Sequence, residues 1–118
     1  MARVLIVDDS AYLRSHLAKL LGERGYKTCC AENGEEAVEM YRQVKPDVVL
    51  MDITMPKMNG MDALAQIRML DPQAKVVMLT ALNQQLIAAR AVHMGARDFL
   101  AKPAPPAQLL MALKKALK

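Results

Sequence analysis

The segment Val4–Ser10, with the sequence VLIVDDS, places four apolar residues directly before two adjacent carboxylates. The apolar run has the length of a buried β-strand, and Ser10 after it is a typical N-cap for a helix. Two neighbouring like charges repel each other unless a cation or a proton is close to them. The segment therefore predicts a strand that ends at a charged site and leads into a helix.

Length and composition indicate one folded domain over residues 1–118. Hydrophobic residues make up 53% of the chain and charged residues 24%, a balance typical of a folded soluble protein. No apolar run approaches the roughly 18 residues of a membrane span, and acidic residues follow the first apolar run too early for a secretory signal. We therefore expect a cytoplasmic protein without a membrane partner. Cys29 and Cys30 are expected to be reduced, because neighbouring cysteines cannot join distant segments.

The chain carries more basic than acidic residues, 16 Lys and Arg against 12 Asp and Glu. This excess is compatible with acidic partners. The basic residues are scattered along the sequence from Arg3 to Lys118, however, and only Lys114, Lys115 and Lys118 form a local cluster. Aromatic residues, at 3%, are too few for a base-stacking surface. We therefore expect no direct binding to nucleic acid.

Short apolar runs alternate with amphipathic stretches along the whole chain. Periodicity predicts strands at 4–7, 27–31, 47–51, 75–79 and 98–101, and helices at 11–25, 34–44, 60–70, 83–95 and 106–118. Gly22 or Gly25 ends the first helix, Leu70 lies on the inner side of the third, and the last begins at Pro105 or Pro106. Strands that are apolar throughout are typical of a parallel sheet covered on both faces. The fold class is therefore α/β, a doubly wound five-stranded parallel sheet flanked by five helices.

Polar residues follow four of the five predicted strands. Asp8 and Asp9 follow the first strand, Asp52 the third, Thr80 the fourth and Lys102 the fifth. Parallel strands joined by right-handed crossovers bring these ends to one edge of the sheet, where open sheets of this kind bind ligands. Grouped carboxylates suit Mg²⁺, and the Asp52 carboxylate could attack phosphorus as a nucleophile.

Each of these residues also has a purely structural explanation. Asp8 and Asp9 could cap a helix, Asp52 could belong to a turn, Thr80 could be an ordinary strand residue and Lys102 could be a solvated lysine. Their occurrence together at one edge favours a phosphoryl-accepting site. In such a site Mg²⁺, the lysine ammonium and the threonine hydroxyl would each meet one phosphoryl oxygen.

Four segments, VLIVDDS, DVVLMDITMPKMNG, VVMLTA and GARDFLAKP, resemble the signature segments of the response regulator receiver domain of two-component signalling. The resemblance covers essentially the whole chain and implies a flavodoxin-like sheet with strand order 2-1-3-4-5. It implies that Asp52 is the phosphoacceptor and that Asp8 and Asp9 bind Mg²⁺. It also implies that Thr80 and Lys102 contact the phosphoryl group.

The same resemblance implies further roles around this site. The backbone carbonyl of Thr54 would complete the metal site. Phe99 would be the switch residue that fills the space left when Thr80 moves toward the phosphoryl group. The peptide bond between Lys102 and Pro103 would be cis.

The resemblance also implies the partners. The phosphoryl donor would be a sensor histidine kinase or a phosphotransfer protein, and the protein would be a monomer or a weak dimer on activation. The output partner would bind the fourth helix, the fifth strand and the fifth helix. Met111, Lys115 and Lys118 share an outer stripe of the last helix, which suits an acidic, partly apolar peptide or is an ordinary solvated face.

Three classes of function remain open at this stage. The segments MDITMPKMNGMDAL and ALNQQ look closest to single-domain regulators of the chemotaxis type. The alternative is a receiver domain excised from a longer transcriptional or enzymatic response regulator. An enzyme that hydrolyses a small phosphorylated substrate is disfavoured, since the sequence has no insertion that would cover the site. The chain is therefore expected not to be a dedicated enzyme, although it could dephosphorylate itself.

We predict a long-lived phosphorylated state. The second residue after Thr80 is Leu82, where fast self-dephosphorylating relatives tend to carry a polar residue. Leu82 and Thr54 offer little help to a water molecule that approaches a phosphoryl group on Asp52. Loss of label from the purified phosphoprotein should be slower than in the fast relatives, and rapid first-order loss would contradict the prediction.

Overall fold

The computed structural model describes residues 2–81 and 85–118. In this part of the chain strands and helices alternate strictly, as predicted. The strands are β1 (Arg3–Val7), β2 (Lys27–Ala31), β3 (Val48–Asp52), β4 (Val76–Thr80) and β5 (Asp98–Ala101), and the helices are α1 (Ala11–Glu23), α2 (Gly34–Val44), α3 (Gly60–Leu70), α4 (Gln85–His93) and α5 (Pro106–Leu117). The predicted start of the fourth helix at Asn83, most of the ALNQQ segment and Leu82 lie outside the described residues.

The five strands form one parallel sheet in the order β2-β1-β3-β4-β5, which confirms the expected topology. The chain runs outward from β1 to β2 and then returns to β3 on the other side of β1. The strand order therefore reverses between β1 and β3, at the position where sheets of this kind form a ligand crevice. Asp8 and Asp52 lie at the carboxyl ends of these two neighbouring strands.

Apolar side chains fill the space on both faces of the sheet. One face packs against α2, α3 and α4, and the other packs against α1 and α5. The central strands β1, β3 and β4 are almost completely buried, whereas the edge strands β2 and β5 are about half-buried. Within the described residues no helix combines the length and the apolar character needed to span a bilayer.

Strand ends differ slightly from the predicted ones. β3 and β4 each begin and end one residue later than predicted, so Asp52 and Thr80 are the last residues of their strands and do not follow them. The reason is continued pairing, since Asp52 lies opposite Leu79 and Thr80 opposite Ala101. The two side chains are consequently held by the sheet and not by a loop.

Helix ends agree with the predicted caps in most cases. The Ser10 hydroxyl accepts a hydrogen bond from the amide of Leu13 at the start of α1. Gly25, with φ of 89°, follows the end of α1, whereas Gly22 lies inside the helix. α5 begins at Pro106, one of the two predicted positions.

The predicted inward position of Leu70 is wrong. Leu70 is 44% exposed, whereas Ile67, one turn earlier on α3, is fully buried. Leu70 is the last residue of the helix, and the chain leaves it at Asp71, so this side chain extends past the core that Ile67 covers.

Lys45 has a backbone conformation that is strained for a residue with a Cβ atom. It ends α2 in the left-handed conformation, with φ of 50° and ψ of 64°, and its amide donates to the Tyr41 carbonyl. An L-residue is disfavoured in this conformation, whereas glycine adopts it freely. Lys45→Gly should raise the free energy of unfolding by roughly 0.5–1 kcal/mol in urea denaturation. Lys45→Ala removes the same charge but keeps a Cβ atom, and an equal gain in that variant would exclude backbone strain as the cause.

Candidate functional site

Asp8 and Asp9 continue the chain beyond β1 into a turn. Asp8 is buried, and its Oδ1 accepts a hydrogen bond of 2.9 Å from the amide of Ser10. The Asp8 carbonyl accepts a hydrogen bond of 2.7 Å from the Arg14 guanidinium. Asp9 is exposed, so the pair presents one fixed and one accessible carboxylate.

Asp52 lies beside them at the end of β3 and is 5% exposed. The amide of Gly60, the first residue of α3, donates to the carbonyl of Ile53 at 2.7 Å. A Cβ atom on Gly60 would overlap the carbonyl oxygen of Asp52. Glycine at this position therefore allows α3 to begin directly against the strand end that carries Asp52.

Lys102 brings a positive charge to the two buried carboxylates. Its Nζ atom lies 2.9 Å from Oδ2 of Asp8 and 3.2 Å from Oδ2 of Asp52. The amide of Lys102 donates to the Thr80 carbonyl at 2.7 Å, and the Lys102–Pro103 peptide bond is cis. The connection from β5 to α5 is thus attached both to β4 and to the carboxylates.

Two opposing effects act on the charged side chains of the site. Burial disfavours their charged forms, whereas the Lys102 ammonium stabilises the carboxylates. Burial raises the pKa of Asp52, the charge of Lys102 works against that rise, and the nearby Asp8 carboxylate adds to it. Burial also disfavours the charged form of Lys102, but the hydrogen bond to Asp8 and the charge of Asp52 outweigh it, so the pKa of Lys102 is raised. Asp52 is therefore harder to ionise than an ordinary carboxyl group, while Lys102 remains firmly charged.

The three carboxylates form a cluster that could hold a metal ion. One oxygen from each of Asp8, Asp9 and Asp52 lies within 4.8 Å of the others. Hard oxygen donors of this kind suit a divalent cation such as Mg²⁺. The exposed side chain of Asp9 leaves the cluster open to solvent on one side.

Thr80 and Phe99 lie on neighbouring strands. Thr80 is fully buried, and its hydroxyl donates to the carbonyl of Ala81 at 3.0 Å. Phe99 is half-buried and packs against the core on the side of α2, α3 and α4. In the register Phe99 lies opposite Met78, two residues before Thr80, and residues two apart share a face of the sheet. The two side chains therefore lie on the same face of the sheet.

Thr54 lies two residues beyond Asp52, in the connection between β3 and α3. Its side chain is exposed. The same connection is held at its far end, where the carbonyl of Met58 accepts a hydrogen bond of 2.9 Å from the amide of Gly34. A Cβ atom on Gly34 would overlap that carbonyl oxygen.

Sequence reasoning did not identify two of these contacts. It placed Lys102 at the site but not in ion pairs with both carboxylates, and it did not consider Arg14. The Arg14 guanidinium also lies 3.8 Å from the Glu32 carboxylate, so it joins the turns that follow β1 and β2. The available indication was the position of Arg14 in the first turn of α1, on the same edge of the sheet as Asp8.

Comparison with known proteins identifies relatives over almost the whole chain. Residues 4–114 match the sequence model of the response regulator receiver domain. The chain is 47% identical over 117 residues to the chemotaxis protein CheY of Thermotoga maritima, covering 98% of each. It is 37% identical over 116 residues to the regulatory protein AtoC of Escherichia coli, covering 98% of this chain and 25% of AtoC.

A solved structure supports the same relationship. The crystal structure of the CheX–CheY–BeF3–Mg²⁺ complex from Borrelia burgdorferi contains a chain that superposes with a TM-score of 0.93 at 34% sequence identity. The match covers 99% of this chain and 90% of that chain.

Removal of the Asp52 charge should stabilise the metal-free protein. Because the folded-state pKa of Asp52 lies above its ordinary value of 3.8, stability contributed by this group is lost as pH rises through the raised value. Asp52→Asn should therefore raise the free energy of unfolding at pH 7.

The gain should shrink as the pH is lowered toward 4, because the wild-type carboxyl group then becomes protonated as well. Urea denaturation across this pH range, with chelator present, measures the difference. Glu35→Gln, which removes an exposed carboxylate, is the control and should give no gain. A pH-independent gain from Asp52→Asn would show that packing and not charge is responsible.

Proposed function

Since the chain belongs to the response regulator receiver family, we propose that it accepts a phosphoryl group on Asp52 and thereby changes its affinity for an output partner. The observation that supports this most strongly is the buried Asp52 carboxylate, clustered with two further acids and 3.2 Å from the Lys102 ammonium. A nucleophile and the groups that neutralise phosphoryl oxygens thus meet at one position.

Mg²⁺ is the metal we assign to the acidic cluster. Asp8, Asp9, Asp52 and the backbone carbonyl of Thr54 would hold it. When bound, it would neutralise charge on the phosphoryl oxygens. The solved complex of CheX and CheY from Borrelia burgdorferi contains BeF3 and Mg²⁺, which supports this choice.

The reaction is a transfer from a phosphorylated imidazole. A carboxylate oxygen of Asp52 forms a bond to phosphorus as the bond from phosphorus to the donor imidazole nitrogen breaks, and the bonding electron pair returns to that nitrogen. Lys102 keeps its proton and meets one phosphoryl oxygen, while the Thr80 hydroxyl turns from the Ala81 carbonyl to meet another. The donor would be a sensor histidine kinase or a phosphotransfer protein.

The same contacts would operate the switch. Movement of the Thr80 hydroxyl toward the phosphoryl group would leave space on the sheet face that Phe99 shares, and the half-buried ring would move inward. The surface of α4, β5 and α5 would carry this change to the output partner. On α5, Met111 is 65% exposed, and Lys115 and Lys118 are exposed beside it, which suits an acidic, partly apolar peptide.

We assign the chain to the chemotaxis type of regulator, a cytoplasmic receiver domain over residues 1–118 that ends its own signal by slow hydrolysis of the acyl phosphate. Similarity to CheY over almost the full length of both chains supports this assignment. The similarity to one quarter of AtoC supports the alternative, a receiver excised from a longer response regulator.

Phosphorylation by a small-molecule donor tests the chemistry. Acetyl phosphate with Mg²⁺ should add one phosphoryl mass to the native protein, measured by intact-protein mass spectrometry, and none to Asp52→Asn. Asp62→Asn, which alters an exposed carboxylate at the start of α3, is the matched control and should be labelled like the native protein. Labelling of Asp52→Asn at the native rate would overturn the assignment.

Two further variants separate metal binding from switching. Asp9→Ala should weaken Mg²⁺ binding, measured by titration calorimetry, because it removes one carboxylate ligand. Lys102→Ala should still be labelled but should no longer show inward movement of Phe99, measured by ring resonances with beryllofluoride and Mg²⁺. Normal ring movement in that variant would exclude Lys102 from the switch.

A further inference from the structure

The fold collects at one edge of the molecule cations that are far apart in the sequence. All five strands are parallel and each helix runs back against them, so strand starts and helix ends lie at the same edge, opposite the acidic cluster. We call the residues at this edge the basic pole. Its cations are Arg3, Arg24, Lys27, Arg42, Lys45, Arg68, Lys75, Arg90, Arg97, Lys114, Lys115 and Lys118.

Acidic residues do not balance these cations. The basic pole holds twelve of the 16 Lys and Arg residues but only four of the 12 acidic residues, a formal excess of eight positive charges. Its acidic residues are Glu23, Asp47, Asp71 and Asp98. The opposite edge, which carries Asp52, has a formal excess of four negative charges over the first turns of the helices and the ends of the strands.

The structure also leaves most of these cations without an ion pair. Among the described residues Arg42 alone of the twelve forms one, with Glu39 at 3.0 Å. Cations at helix ends offset the helix dipole, which accounts for some of the set. It does not account for Arg3, Lys27 and Arg97, which lie at strand starts. The excess of positive charge at the basic pole is therefore larger than the offset of the helix dipoles requires.

We propose that the basic pole binds the surface of an anionic lipid bilayer, contrary to the expectation from the sequence alone that the protein has no membrane partner. The molecule measures 32 × 30 × 28 Å, and the cations are distributed across the whole of one end and do not line a single groove. Such a distribution matches an extended plane of negative charge, where each Lys or Arg near the surface contributes about fivefold in affinity. This is binding to a surface, so it needs no spanning helix.

Exposed apolar side chains at the same pole favour lipid over other polyanions. Met69 is 83% exposed and Leu70 is 44% exposed, and both lie at the end of α3. Apolar groups beside cations can enter the layer between headgroups and acyl chains. The described helices present only their ends at this pole, so none of them lies along it in the way that reading base edges in a groove requires.

Bilayer binding in this orientation would leave the phosphoacceptor accessible. The carboxyl ends of the strands, with Asp8, Asp9 and Asp52, point away from the basic pole. The basic pole is remote from these residues, so bilayer binding does not depend on the phosphorylation chemistry.

Vesicle co-sedimentation tests the proposal with the full chain. The protein should sediment with vesicles of 30 mol% phosphatidylglycerol in phosphatidylcholine at 0.1 M NaCl, should be released at 0.5 M NaCl, and should not sediment with phosphatidylcholine alone. Absence of sedimentation with the anionic vesicles, or equal sedimentation with the neutral ones, would overturn the proposal.

Two charge-reversal variants of equal net charge show whether the pole or the net charge is responsible. Lys27→Glu/Lys114→Glu changes two exposed residues of the basic pole, whereas Lys19→Glu/Lys57→Glu changes two exposed lysines outside it. The first should bind anionic vesicles at least tenfold more weakly than the native protein, and the second within threefold of it. Far-UV circular dichroism checks that both variants fold. An equal loss of vesicle binding in both would show that net charge, and not the basic pole, is responsible.

A duplex competitor distinguishes lipid from nucleic acid. A 20-base-pair duplex of arbitrary sequence, added so that its phosphates equal the phosphatidylglycerol of the vesicles in concentration, should leave at least half of the protein on the vesicles. Complete displacement by the duplex would assign the basic pole to nucleic acid and overturn the lipid proposal.

Discussion

Lys102 lies 2.9 Å from one carboxylate oxygen of Asp8 and 3.2 Å from one of Asp52, and its charge allows two acidic side chains to be buried side by side. A buried carboxylate without a partner is costly, and two of them also repel each other. The ammonium offsets both costs, yet the pKa of Asp52 remains raised, so the balance is incomplete. The site therefore still disfavours the charged form of Asp52, and a further cation beside it would favour ionisation.

The backbone around the site holds these side chains at fixed positions. Asp52 and Thr80 are the last residues of central strands, and the amide of Lys102 donates to the Thr80 carbonyl. Gly60 and Gly34 permit backbone contacts that any Cβ atom would block, and these contacts fix both ends of the connection that contains Thr54. The side chains of the candidate site thus lie on or directly beside rigid elements, as a preorganised site would require.

Much of this arrangement follows from the sequence because the central strands are apolar throughout. Strands of this kind are typical of a parallel sheet that is covered on both faces. The sheet itself brings Asp8, Asp52 and Lys102 to one edge. Side-chain partners do not follow in the same way. The pairing of Lys102 with both carboxylates depends on distances between strands, and the exposure of Leu70 depends on where α3 passes the sheet edge, neither of which periodicity contains.

The distribution of charge over the surface could not be predicted from the sequence, but it is evident from the fold. Basic residues spaced along the chain look diffuse, since their spacing follows the period of the strand-helix unit and not that of a local cluster. Folding converts that spacing into two poles of opposite sign at opposite edges of a molecule about 30 Å across. Such a molecule has a large permanent dipole moment. A charged partner that approaches through water exerts a torque on it, so the protein turns before contact and presents its acidic end to cationic partners and its basic end to anionic ones.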